Sequence, residues 1–137
     1  MAEEIARYMR EHDRMAAWLH VEMLGVKPGY AKIGMTVRED MLNAAGVCQG
    51  GALFSFADFA FAVASNSHGP LALALSGTIN FIRPACSGDR LVAEAEELQR
   101  SKKTGFYRVT VTRETDSKLM ALFSGNVFVK DEPIRKG

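Results

Sequence analysis

Apolar residues recur at helical spacing near the start of the chain. Ile5, Tyr8, Met9, His12, Met15 and Leu19 fall three and four residues apart, with Arg10, Glu11 and Arg14 off that face. This spacing predicts one amphipathic helix. Pro28-Gly29 reads as a turn, after which Ala31, Ile33 and Met35 alternate with Lys32 and Gly34 and predict a strand over Tyr30–Val37. An irregular stretch, Asn43-Ala44-Ala45-Gly46, leads to Gln49-Gly50-Gly51, which opens a second helix running to about Asn66 and closed by Gly69-Pro70. From there the period changes to two. Leu73, Leu75, Ile79 and Phe81 alternate up to Arg83-Pro84, and strands follow over Leu91–Leu98, Phe106–Thr112 and Leu119–Val129. Turns at Ser87-Gly88-Asp89, Ser101–Gly105 and Asp116-Ser117 separate them, and the tail from Asp131 is expected to fray.

Consecutive strands joined by short turns favour an antiparallel sheet. The expectation is a single α+β domain spanning residues 1–137, a size that suits one domain rather than two. The second helix is the unusual element. Leu53, Phe54, Phe56, Phe59, Phe61 and Val63 cover its whole circumference, with alanines between them. A helix apolar all round is buried on most sides. One flat sheet covers only one of them, so the sheet must curve around the helix or a second subunit must cover the rest.

Composition narrows the classes without choosing among them. An apolar share of 47% with 24% charged residues is that of a globular protein. A formal net charge of +1 argues against a nucleic-acid partner. The N-terminal residues lack the apolar core of a signal peptide, and the longest apolar stretch, Ala52–Ala64, is interrupted by Ser55 and Asp58. That stretch is shorter than the roughly 20 residues that span a bilayer, so a cytoplasmic protein without a membrane segment is expected. Cys48 and Cys86 have no metal-ligand spacing and read as free thiols, while His12, His20 and His68 are scattered. No metal or organic cofactor is implied.

Asp58 is the chemical anomaly of the long helix. A carboxylate among Phe54, Phe56, Phe59 and Phe61 is costly to bury unless paired, solvated by a cleft or protonated. Two readings stand: a general base of raised pKa, or a structural carboxylate bonded to a backbone amide or to Arg83. Gly50 and Gly51 sit at the helix start, where free N–H groups suit a developing oxyanion, or where they form a plain turn. Asn43 is a turn residue or a group that orients a carbonyl or a water. Gly50 and Asp58 are eight residues apart, about 12 Å along a helix. A nucleophile and an oxyanion donor must each lie about 3 Å from one reacting carbonyl. If both act on one carbonyl, they come from different subunits, so the hypothesis requires a dimer. No GxSxG elbow or phosphate-binding glycine loop is present. Cys48 reads as a packing cysteine, and His68 as a dipole contact or an exposed side chain.

The run from Asn43 through Gly46 and Gln49-Gly50-Gly51 to Asp58 resembles a thioesterase signature, N-x-x-G-x-x-H-G-G-x-x-x-x-x-x-D. That signature belongs to hotdog-fold thioesterases of the PaaI-like branch. Thr78-Ile79-Asn80-Phe81-Ile82-Arg83-Pro84, Gly88-Asp89, Lys103-Thr104-Gly105-Phe106-Tyr107 and Ala121–Gly125 extend the similarity over about Met41–Val129. The resemblance implies a hotdog fold, a curved antiparallel sheet wrapped around the central helix, in homodimers with composite sites that usually pair into homotetramers. It implies an acyl-CoA thioesterase in which Asp58 is general base or nucleophile, Gly50 gives the oxyanion N–H and Asn43 helps place the carbonyl or water. Gln49, Gly51 and Arg83 would contact substrate. Lys102 and Lys103, in a basic turn with Arg100, would meet CoA phosphates or form a solvated loop. An aryl-acetyl acyl group, phenylacetyl above all, is implied by the family alone. The family's histidine before the glycine pair is Gln49 here, which hydrogen-bonds but does not titrate, and position 74 is Ala where some relatives carry Ser. A dehydratase would need a histidine near the helix start. A non-catalytic acyl-CoA-binding or sensing module on the same scaffold is the alternative.

Overall fold

The computed structural model describes residues 1–135. Its chain order is α1 (Ala2–His12), α2 (Arg14–Leu19), β1 (Glu22–Lys27), β2 (Tyr30–Thr36), a 3-10 turn (Glu39–Met41), α3 (Gly50–Asn66), β3 (Pro70–Phe81), β4 (Arg90–Arg100), β5 (Thr104–Arg113) and β6 (Leu119–Pro133). The six strands form one antiparallel sheet in the order β1-β2-β4-β5-β6-β3. Small, branched and aromatic residues line its inner face, among them Ile33, Ala93, Ala95, Val109 and Phe123, all buried. α3 lies against that face and touches β2 through β6. The expected wrapped sheet is therefore present, and Phe56, Phe59, Phe61 and Val63 are buried against it.

Three features differ from the sequence reading. The N-terminal helix is two helices, because Asp13 leaves the helical region at φ −82°, ψ 110° and its Oδ1 accepts from the Ala16 amide at 2.9 Å. An N-cap bond of this kind starts a new helix in the middle of an apolar pattern that runs on unbroken. β1 falls outside the strands read from alternation, since Gly25 and a register shift between Met23 and Gly25 blur its period. The tail does not fray at Asp131. β6 continues to Pro133, which pairs with Pro70, and the Ile134 amide donates to Gly69 O at 3.1 Å.

The two ends of α3 are fixed differently. At its C-terminus Asn66, 2% exposed, donates from Nδ2 to Ala62 O and Ala72 O and accepts from Ala72 N at 2.8 Å, tying helix to β3. His68 is neither free nor a simple dipole contact: its Nε2 lies 2.8 Å from Glu97 Oε1, which also accepts from the Tyr107 hydroxyl at 2.6 Å. β3 is the outer strand of the sheet, and Leu73, Leu75 and Phe81 on it are exposed, Leu75 to 60%. A long apolar edge is an unmet pairing surface. Among the described residues no helix is long and apolar enough to cross a membrane.

Asn66→Ala should cost roughly 1–3 kcal/mol, because it leaves buried backbone groups of β3 and α3 without partners. Chemical denaturation of the two proteins measures the difference.

Candidate active site

The start of α3 is built by a loop that folds back on itself. Asn43 Oδ1 accepts from the amides of Ala45 (2.9 Å) and Val47 (3.2 Å), and its backbone amide donates to Val47 O. Gly46, at φ +83°, closes this turn in a conformation that a side chain would strain. Cys48 then bonds its amide to Ala85 O, and Gln49 bonds its amide to Met41 O. Asn43 thus does serve the turn, yet its exposed Nδ2 donates to no acceptor among the described residues.

A helix start leaves four amides without intrahelical acceptors. Here three of them find one. The Gln49 amide donates to Met41 O (2.8 Å), the Gly51 amide to the capping Gln49 Oε1 (3.0 Å) and the Ala52 amide to Gln49 O (3.0 Å), which also accepts the first intrahelical bond, from Leu53 N (3.3 Å). The amide of Gly50 is the one left without an acceptor among the described residues. A methyl group built on Gly50 would lie 2.9 Å from the Phe81 ring, so only glycine keeps both the close packing and an open approach. Gln49 therefore has a structural function that needs no titration: it holds down one orphan amide beside the free one.

Asn43, Gln49 and Gly51 line one groove of about 530 Å3 together with Met15 and Trp18 of α2. Asp58 is not in its wall. It lies further along the same face of α3, half-buried, and accepts no hydrogen bond among the described residues. Arg83 does not pair with it; Arg83 is exposed and its Nη1 donates to Leu119 O at 3.1 Å. Burial pushes the Asp58 carboxyl above the ordinary carboxylate range, and the nearby charge of Asp13 pushes it the same way. Asp13 escaped the sequence reading. Its signal, an acidic residue at a helix start, was present at the α1–α2 junction but was read as part of one continuous helix. Burial likewise raises the Cys48 thiol, which does not suit a nucleophile. Lys102 and Lys103 line a different groove of about 620 Å3 together with Arg100 and Lys130. Arg100 Nη1 reaches Ser65 O at 3.2 Å, so that groove adjoins the C-terminal end of α3.

A curved antiparallel sheet around one apolar helix, with a carboxylate and a free amide on that helix, is the architecture of hotdog enzymes that act on thioesters. Residues 45–120 match the thioesterase superfamily, and the chain belongs to it. Over 120 residues the chain is 42% identical to the acyl-coenzyme A thioesterase PaaI of Escherichia coli, covering 88% of this chain and 85% of that one. The structure of E. coli PaaI, from the phenylacetic acid degradation operon, superposes with a TM-score of 0.95, covering 98% and 96% of the two chains at 39% identity. The phenylacetic acid degradation protein PaaI of Thermus thermophilus is 43% identical, with a TM-score of 0.81 over 85% of this chain and 98% of that one. A Streptococcus mutans protein whose crystal structure holds acetyl CoA is 25% identical, with a TM-score of 0.79 over 82% and 90%.

The raised Asp58 carboxyl has a stability consequence whose sign follows from linkage. The folded protein holds that proton more tightly than the unfolded chain, so the group favours folding in acid and loses that contribution as pH rises through its raised value. Asp58→Asn, which removes the charge, should raise the melting temperature at pH 7. The gain should shrink toward about pH 4, where an unperturbed Asp is already half-protonated. Thermal melts of both proteins across this range measure it.

Proposed function

We propose that this protein hydrolyses an acyl-CoA thioester to a carboxylic acid and free CoA, using Asp58 of one subunit and the Gly50 amide of another. The observation that carries this reading is the Gly50 amide at the start of α3, without an acceptor among the described residues, on the same helix as a half-buried carboxylate that accepts no hydrogen bond among them. The Gly50 N–H stabilises the oxyanion that forms when the thioester carbonyl is attacked. Asn43 Nδ2, free while its oxygen holds the turn, donates to the same carbonyl or to the attacking water. Asp58 either takes a proton from water or attacks the carbonyl itself, and both routes need it ionised.

The fold supports a composite site. Phe54 is midway between Gly50 and Asp58, and its ring lies 3.5 Å from a methyl built on Gly77. Gly77 is the midpoint of the exposed edge that runs from Leu73 to Phe81. A two-fold axis through Gly77 would pair two β3 edges antiparallel and run α3 beside its copy. The same axis passes Phe54, which sets Gly50 of each chain level with Asp58 of the other. The partner's basic groove, with Arg100, Lys102 and Lys103, then continues beyond Asp58 toward the helix end and suits the phosphates of CoA. The S. mutans relative holding acetyl CoA is consistent with that ligand. An aryl-acetyl group is the acyl class proposed, by analogy with the E. coli and T. thermophilus relatives. Such dimers are proposed to pair into tetramers. Two free thiols, Cys48 and Cys86, fit a reducing cytoplasm.

CoA release from a panel of acyl-CoAs tests this reading. Asp58→Ala should lose roughly 10²–10⁴ in rate. Gly50→Pro removes the amide hydrogen at a first helical position, where proline is accepted, and Gln49 already has the ψ of 138° that precedes a proline. Gly50→Ala, which adds the same Cβ against the Phe81 ring but keeps the N–H, is its control. Gly50→Pro should lose roughly 10²–10³ in kcat relative to Gly50→Ala with its helix content unchanged. Full activity in Asp58→Ala, or a Gly50→Pro protein as active as Gly50→Ala, would contradict the proposal.

A further inference from the structure

α2 exposes the wrong residues for a surface helix. Ala16 and Leu19 face the core, but Met15 and Trp18, one turn apart, face outward and are 52% and 47% exposed. Both line the same groove as Asn43, Gln49 and Gly51, the last two of which flank Gly50 and its free amide. About 530 Å3 is a volume ordinary for a small-molecule site. A large apolar surface left in water beside polar groups of a reaction site is a feature of ligand recognition.

Trp18 is also held in place. The Arg38 guanidinium lies 4.9 Å from its ring centroid and donates from Nη2 to Trp18 O at 2.8 Å. The same guanidinium pairs through Nε with Asp40 at 3.0 Å. Two consequences follow. The guanidinium lies over one face of the indole while the side chain stays half exposed and lines the groove, so the ring is preorganised rather than loose. Asp40, which borders the groove, has its charge offset by Arg38, so no unpaired charge faces the ligand from this wall. The cations suited to phosphate, Arg100, Lys102, Lys103 and Lys130, line another groove altogether. The α2 groove is thus suited to the uncharged end of an acyl thioester.

We propose that Trp18 and Met15 form the wall against which the acyl group packs, and that they select a flat, apolar, aromatic acyl group. Trp18 offers a half-exposed ring to an aromatic partner, and the Met15 thioether makes a favourable contact with a ring edge. Arg38 is a positioning residue that acts through Trp18. This inference rests on the thioesterase reading of the same site and on the aryl-acetyl class proposed with it, and adds the residues that choose that acyl group.

Trp18 is the chain's one tryptophan, so its fluorescence reads the groove directly. Asp58→Asn protein, which should bind without turnover, is titrated with phenylacetyl-CoA, acetyl-CoA and CoA. A saturable emission change with phenylacetyl-CoA, absent with CoA, is the expected result. In parallel, Trp18→Ala should lower kcat/KM for phenylacetyl-CoA roughly ten- to a hundredfold while that for acetyl-CoA changes little, and Trp18→Phe should restore most of the loss. Equal losses on both substrates would overturn the proposal. So would a changed oligomeric state in Trp18→Ala, which would make this face a contact between copies. If wild type hydrolyses neither substrate, the thioesterase reading fails separately. The titration then decides the groove alone: a phenylacetyl-specific response keeps it, and no response removes it.

Discussion

The rigidity of an α-helix governs this molecule. Gly50 and Asp58 are fixed about 12 Å apart along α3, and no side-chain motion in one chain brings both to a single carbonyl. A catalytic role for the pair thus depends on a second chain. The sheet ends in β3, a twelve-residue strand whose apolar outer edge has no partner among the described residues, the edge on which the proposed dimer would form. Both features follow from the same sequence decision, an apolar helix followed at once by an apolar strand, with only Ser67-His68-Gly69 between them.

Stability and the proposed catalytic role pull against each other at Asp58. Burial and the charge of Asp13 disfavour its ionised form, and no hydrogen bond among the described residues offsets them. A group of this kind is tolerated when the rest of the fold is secure. The secure parts are at the other end of α3, where Asn66, Ser67, His68 and Arg100 anchor the helix to the turn between β1 and β2 and to β3 and β4. The N-terminal end, by contrast, leaves one amide without an acceptor among the described residues. α3 is thus pinned where it is structural and open where chemistry is proposed.

Much of this was legible in the sequence. The limits of α3 and the four strands after it could be read because breakers and alternation mark them, and a spaced motif singles out Asn43, Gly50 and Asp58 as the candidates. What was not legible depended on local competition or on distance in sequence. Asp13 splits a helix whose apolar period continues through the split. Gln49 looks like the loss of a catalytic histidine, and only the geometry of the helix start gives it a capping role. Met15 was read as core because it keeps the period of Ile5 and Leu19, yet the new helix axis at α2 turns it outward beside Trp18. Ile134 holds the tail through a bond to Gly69, 65 residues earlier in the chain, which no local pattern signals.

The central claim is that one site is built from two subunits, and mixed dimers test it most directly. Asp58→Ala and Gly50→Pro proteins are each inactive on this account. Unfolded together and refolded at equal amounts, they should form heterodimers in which one site has lost both groups and the other has kept both. Random pairing then returns about a quarter of wild-type CoA release. Recovery near that level supports the shared site, and a mixture as inactive as its two components would contradict it.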